Sequence, residues 1–256
     1  MEDSPLKAWT EREGRLLRLR LARPKANLID AEMIAALNAA LDGHRSNAGL
    51  CGVVVDHEGP HFSFGASVQE HLPGQVAAML KALHGLIFRM VEYPVPILVC
   101  VAGQCLGGGL EVAAAGHLIF ASPKATLGQP EIKLGVFAPA ASCLLGERIG
   151  QAGAEDLLFS GRSVGGEEAL SMGLLNALAD DPEAAALMYF DEHLSGLSAS
   201  SLRYAVRAAR AGYAERIKDK LAAAEALYLS GLMSTRDAVE GLEAFIEKRP
   251  AKWEHR

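Results

Sequence analysis

The sequence predicts an α/β protein, on two observations. From residue 16 to about residue 190, short apolar runs of strand length alternate with stretches of helical period, with glycine and proline turns between them. Beyond that point only helical periodicity remains. The alternation implies strands joined by helical crossovers and a sheet covered on both faces.

In order, Leu16, Leu17, Leu19 and Leu21, with arginines between them, read as a half-buried strand. RPKAN turns the chain, and Asp30 is placed to cap a helix running from about Asp30 to His44. GVVVDHEG follows as a buried strand ended by Gly59 and Pro60. After PHFSFGASVQEHL comes a helical segment near 74–92, then the β-rich run PVPILVCVAGQC, entered at Pro94 and Pro96. A small-residue helix begins near Gly108, and LIFASPKATLG supplies one further strand. QAGAEDLLFSG, GEEALSMGLL, PEAAALMYFDEHLSGL, SLRYAVRAAR and RIKDKLAAAEALYLSGLMSTRDAVEGLEAFIEKR all have helical spacing. The expected organisation is an α/β core over residues 1–190 and a helical region over 191–256 that packs onto a neighbouring subunit.

Composition excludes several function classes. No charge-free apolar stretch reaches the roughly 18–20 residues of a membrane span. The N-terminal MEDSPLKAWTEREGR lacks the apolar centre of a secretion signal, so a cytoplasmic protein is expected. Lys and Arg number 25 against 31 Asp and Glu, a formal charge of -6 with no dense basic tract, which disfavours nucleic acid as a partner. Cys51, Cys100, Cys105 and Cys143 lie in apolar or small-residue surroundings without CxxC spacing, which predicts buried, reduced thiols. Only His57 and His61 have helical i, i+4 spacing, and Gly59 and Pro60 between them forbid the helix, so no metal site is expected.

The stretch GQCLGGGLEVAAAG, residues 103–116, sets bare backbone N–H groups at a helix start, where donors and dipole together favour negative charge. It lacks both GK[ST] and GxGxxG, so a nucleotide site is poorly supported, and taken alone it reads first as a tight strand-to-helix turn. Two other segments change the balance. FSFGASVQEH, residues 62–71, also runs from an apolar strand end through a glycine, and GQPEIKLGVFAPAAS, residues 128–142, carries Glu131 after a proline. Two N–H donors can polarise a carbonyl while two carboxylates handle a proton and a water.

Together RPKANLID, FSFGAS, GQCLGGGLE, GQPEIKLG and the C-terminal AFIEKRPAKW resemble the crotonase, or enoyl-CoA hydratase/isomerase, superfamily over nearly the whole chain. The resemblance implies a ββα spiral core with a helical C-terminal trimerisation region, and an acyl-CoA thioester as substrate. CoA would enter as part of that substrate, with no separate cofactor. By motif position, the N–H groups of Ala66 and Gly108 would hold the thioester oxygen, and Glu111 and Glu131 match the two hydratase glutamates. The pair favours water addition over isomerisation, with Glu111 activating water and Glu131 donating the proton. RPKAN resembles the CoA-lining segment, which makes Lys25, Ala26 and Leu28 binding candidates, with Gly65, Ser67 and Val68 beside the acyl thioester. Lys248 and Lys252 either meet CoA phosphates or form a solvated tail.

Two departures narrow the substrate: Ser67 stands where many relatives have Asp, and Ala138, Pro139, Ala140 and Ala141 replace a glycine-rich stretch. The combination resembles the branch that hydrates conjugated dienoyl-CoA thioesters rather than short straight chains. The intact glutamates and the acidic charge weigh against a non-catalytic acyl-CoA or RNA-binding relative. The family assembles as homotrimers or dimers of trimers.

Overall fold

The computed structural model describes residues 4–256, so the start of the charged N-terminal segment, residues 1–3, lies outside the described residues. Along the chain run β1 (Leu6–Glu11), β2 (Leu16–Leu21), α1 (Ala31–Arg45), β3 (Gly52–His57), α2 (Val76–Val91), β4 (Ile97–Val101), β5 (Gln104–Leu106), α3 (Gly108–Ala115), β6 (Leu118–Ala121), β7 (Thr126–Gly128), α4 (Pro139–Ser160), β8 (Ser163–Gly165), α5 (Gly166–Ser171), β9 (Ala177–Leu178), α6 (Pro182–His193), α7 (Ala199–Ser230) and α8 (Arg236–Ile246).

These strands make two sheets, ordered β1-β2-β3-β4-β6-β9 and β5-β7-β8. In the large sheet β1 and β2 are antiparallel and every later pairing is parallel. Isolated parallel bridges, Ser63 with Cys105 and Ile29 with Ala66, carry the small sheet's ladder back into the earlier turns of the chain. Each turn thus visits the large sheet, crosses to the second ladder, and returns through a helix. That repeat is the ββα spiral.

The crossing explains two strands that sequence reads as single runs. PVPILVCVAGQC divides into β4 and β5 at Gly103, whose φ is 58°, and where a Cβ would lie 2.1 Å from the Pro60 carbonyl oxygen. LIFASPKATLG divides into β6 and β7 around a turn in which the Ala125 N–H donates to the Ser122 carbonyl. In both cases the apolar run is continuous while the chain changes sheet.

β2 is not half-buried, as its arginines suggest: Leu16, Leu17, Leu19 and Leu21 are fully buried and Arg18 is only 2% exposed. α6 covers the second face of the sheet, over a cluster of Leu16, Val54, Leu98, Phe120 and Phe190. Arg18 and Arg20 are tolerated there because both pair with Asp56 on β3 and with Glu183 on α6, and both guanidinium groups lie over the Trp9 ring, 5.1 and 5.4 Å from its centroid. The other face carries the main core under α1, α2, α3, α4 and α7. All four cysteines are buried free thiols.

Asp30 caps α1 as its position predicts, accepting from the Met33 N–H at 3.0 Å. SLRYAVRAAR and the long stretch after it form two helices, but the break falls after Ser230 and not between the two runs. α7 runs unbroken for 32 residues through Gly212 and buries Ala214, Ile217, Leu221 and Tyr228 in the main core, in contact with α2 and α4. The tail after α8 is fastened by the Glu254 and His255 N–H groups, which donate to Asp237 at 2.7 and 2.8 Å.

Candidate active site

The site grows from the register of the second ladder. Ser63 faces Cys105, and Cys105 faces Leu127. Three residues past the first two stand Ala66 and Gly108, and four past the third stands Glu131. Neighbouring turns of the spiral therefore deliver these residues side by side.

Two glycines allow the turns to touch. Gly65 has φ 104°, and a Cβ on it would lie 2.9 Å from the Leu106 carbonyl oxygen and 3.4 Å from the Gly108 nitrogen. Gly107 has φ 51°, and a Cβ there would lie 2.7 Å from Glu131 Oε1. A Cβ on Gly108 would in turn meet the Ala66 nitrogen at 3.0 Å. Among the described residues, neither the Ala66 nor the Gly108 N–H donates to a protein acceptor. Gly108 also opens α3, so its N–H adds the positive end of a helix.

Glu111 stands in the first turn of α3 and is 3% exposed. Its Oε1 accepts from the Ala141 N–H at 2.8 Å, at the N-terminus of α4. Burial pushes its carboxyl up from the ordinary range, while the N–H groups of Ala141 and Ala140 and the nearby His84 pull the other way. In the stretch Ala138, Pro139, Ala140 and Ala141 it is thus the backbone N–H groups of Ala140 and Ala141, at the start of α4, that act on Glu111.

Glu131 meets a different environment. The residue as a whole is half-buried, but its carboxyl head is enclosed, and that enclosure together with the charge of Glu111 pushes its pKa up to about 8. Gln129, with its amide NH2 turned toward Glu131, donates to both carboxyl oxygens at 2.9 and 3.0 Å. The charge of Glu111 acts on Glu131 to raise its pKa, whereas backbone N–H groups offset the burial of Glu111, so of the two carboxyls Glu131 is the one favoured to hold a proton.

RPKAN is held against the same turns. Buried Asn27 donates to the Glu58 and His61 carbonyls, both at 3.0 Å, and accepts from the Arg23 N–H. The Phe64 N–H donates to Ala26 and the Ile29 N–H to Gly65, so Ala26 and Leu28 lie alongside the Gly65–Ala66 turn, half-buried, while Lys25 is exposed. Ser67 and Val68 are half-buried just beyond it. Lys248 and Lys252 are exposed on the tail, and the Lys252 N–H is bound to Glu240 rather than loose. His57 and His61 are occupied structurally, each accepting from a backbone N–H, of Ala102 and Gln104 respectively.

Three residues of the site carry no separate signature in sequence. Gln129 is 1% exposed and is marked only by lying two residues before Glu131. His84 on α2 is buried and bonds through Nδ1 to Glu225 on α7 at 2.5 Å. Tyr228 lies near the end of α7, and its helical spacing looks like that of any core aromatic. A cavity of about 770 Å³ lies elsewhere, between α2 and α7. Its Arg203 and Arg210 are already bound to backbone carbonyls, and neither glutamate lines it.

Comparison with known proteins shows the family. A family model described as enoyl-CoA hydratase/isomerase matches residues 11–256. The chain is 66% identical over 253 residues to a cyclohexa-1,5-dienecarbonyl-CoA hydratase of Thauera aromatica, covering 99% of this chain and 98% of that protein. It is 34% identical over 242 residues to a probable enoyl-CoA hydratase of Bacillus subtilis, covering 90% and 92%. A crystal structure of an enoyl-CoA hydratase/isomerase from Pseudoalteromonas atlantica superposes with a TM-score of 0.83 at 27% identity, covering 97% of this chain and 99% of that one. With the spiral, the two unpaired N–H donors and both glutamates in place, the chain belongs to the enoyl-CoA hydratase/isomerase, or crotonase, family.

Proposed function

We propose that the chain is a hydro-lyase that adds water in the 1,4 sense to cyclohexa-1,5-diene-1-carbonyl-CoA, giving 6-hydroxycyclohex-1-ene-1-carbonyl-CoA, a step of anaerobic aromatic degradation. The observation that carries the reaction type is the unlike setting of the two carboxyls: Glu111 is held by the N–H groups of Ala140 and Ala141, and Glu131 retains its proton to about pH 8. The ring substrate rests on the 66% identity to the Thauera hydratase.

In this reading the thioester oxygen accepts from the Ala66 and Gly108 N–H groups. Glu111 removes a proton from water, and the hydroxide forms a C–O bond at the β carbon of the C1=C2 bond. The electron pair moves toward the thioester oxygen, where the two donors stabilise the dienolate. Glu131 then protonates C5, the far end of the diene, and the remaining double bond lies between C1 and C6. Renumbered, the product carries its hydroxyl on C6. Glu111 ends protonated and Glu131 ionised, and proton exchange between them restores the starting state. CoA takes part only as the substrate's carrier, along Lys25, Ala26 and Leu28, with Gly65, Ser67 and Val68 beside the acyl end. A separate cofactor is not required by these steps.

The proposed assembly is a homotrimer or a dimer of trimers in the cytoplasm, with residues 1–190 as the catalytic core and the helices of 191–256 as the assembly region. Exposed Leu197, Tyr204, Leu227 and Phe245 in that region support it. No helix among the described residues is long and apolar enough to cross a membrane.

A spectrophotometric comparison of the cyclic dienoyl-CoA with crotonyl-CoA tests the substrate. Faster turnover of the cyclic thioester is expected. Equal or faster turnover of crotonyl-CoA would reassign the chain to short-chain hydration.

A further inference from the structure

We infer that Tyr228 is a third functional group of this site, and that its phenolic hydroxyl donates a hydrogen bond to the oxygen being added to the acyl ring. That oxygen belongs to water before the reaction and to a secondary alcohol after it. The inference rests on the hydratase reading.

Tyr228 is completely buried, and its hydroxyl has no hydrogen-bond partner among the described residues. A phenylalanine would fill the same volume without stranding a polar group, so packing does not account for the hydroxyl. Tyr93 shows how this chain treats a tyrosine that is only structural: equally buried, it donates to the Leu41 carbonyl at 3.0 Å.

The placement of the ring gives the hydroxyl its use. It packs edge-on against Phe137, with centroids 5.2 Å apart. Phe137 lies in the short link between Glu131 and the Ala140 and Ala141 N–H groups that hold Glu111. Burial, and after it the charges of Glu131 and Glu111, push the phenol's pKa up, so the group stays protonated on the side of the core where both carboxyls act on it electrostatically. A phenol so placed is a donor and not a base. Glu111 and Glu131 are the two groups assigned to the protons of water and ring, and Tyr228 offers the remaining hydrogen bond to the incoming oxygen. The ligand class that follows is an acyl-CoA thioester bearing a ring hydroxyl next to the acyl-bearing carbon.

The test uses Tyr228→Phe in two backgrounds. In otherwise wild-type protein, kcat for the cyclic dienoyl-CoA should fall about tenfold, while KM stays nearly unchanged because the diene carries no hydroxyl. In a Glu111→Gln background, where turnover is slow enough for binding to be measured, affinities are compared for 6-hydroxycyclohex-1-ene-1-carbonyl-CoA and for the same ring without the hydroxyl. Adding Tyr228→Phe should weaken binding of the hydroxylated thioester by about 5-fold, the scale of one neutral hydrogen bond, and leave the unsubstituted one unaffected. Equal weakening of both ligands, or of neither, would overturn the inference. If wild-type protein fails to hydrate the diene, the hydratase reading falls, and the pair of affinities still decides whether Tyr228 senses a ring hydroxyl.

Discussion

Glu131 holds a proton that the unfolded chain would release near pH 4.5, because in the folded protein its pKa is about 8. Between those values the folded state binds more protons than the unfolded one, so this residue's contribution to stability declines as pH rises from about 4.5 to about 8, and levels off above. Glu131→Gln should flatten that part of the curve of Tm against pH. Activity should follow the same group: kcat/KM falls as pH rises through about 8, where the free enzyme loses the acid. Glu111→Gln and Glu131→Gln should each lower kcat by about 100-fold or more, and an unchanged rate in either would remove that residue from the chemistry. Gly108→Ala sets a methyl against Ala66, 3.0 Å from its nitrogen, and displaces the partner donor. A loss of about 100-fold in kcat is expected, with the fold retained by circular dichroism.

At the scale of elements, the chain is most legible where local chemistry decides. The Asp30 cap, the buried run of β3 and the glycine entry to α3 follow from side-chain type and spacing alone. Elements decided by distant partners are less legible. β1 hides in a charge-rich segment because it is an edge strand whose partner is β2. α7 crosses Gly212 because its contacts with α2 and α4 outweigh the roughly 1 kcal/mol cost of a helical glycine. Arg18 reads as solvated until Asp56 and Glu183 close around it. Replacing Asp56 by Ala would remove the one fully buried counter-charge and leave the two guanidinium groups under α6 with only the partly exposed Glu183 and Glu11. We expect destabilisation of about 3–5 kcal/mol in urea unfolding, with kcat per folded enzyme unchanged.

For the whole molecule, the motif residues that sequence could single out are those on the spiral's turns, since glycines and acids stand out there. His84 and Tyr228 could not be singled out, because their proximity to the glutamates depends on how α2 and α7 close over α3 and α4, and Gln129, though next to Glu131 in sequence, carries nothing that marks its amide as turned toward that carboxyl. Light scattering should give three or six times the 27.1 kDa subunit mass, and a monomer at working concentration would contradict the assembly proposed for the helical region.

The shared offset of the second ladder has one more consequence. Adjacent strands lie about 4.8 Å apart, so donors that leave successive strands at equivalent positions share a spacing fixed by the β-sheet itself. The backbone sets the distance between the two N–H groups, and side chains at Ala66 and Gly108 can vary only as far as space allows. A single residue inserted between Ser63 and Ala66 would slip one donor out of step and disarm the pair, whereas the side chains around the acyl ring remain free to change. On the proposed role of the two donors, one scaffold can therefore keep its grip on a thioester oxygen while its substrates diverge.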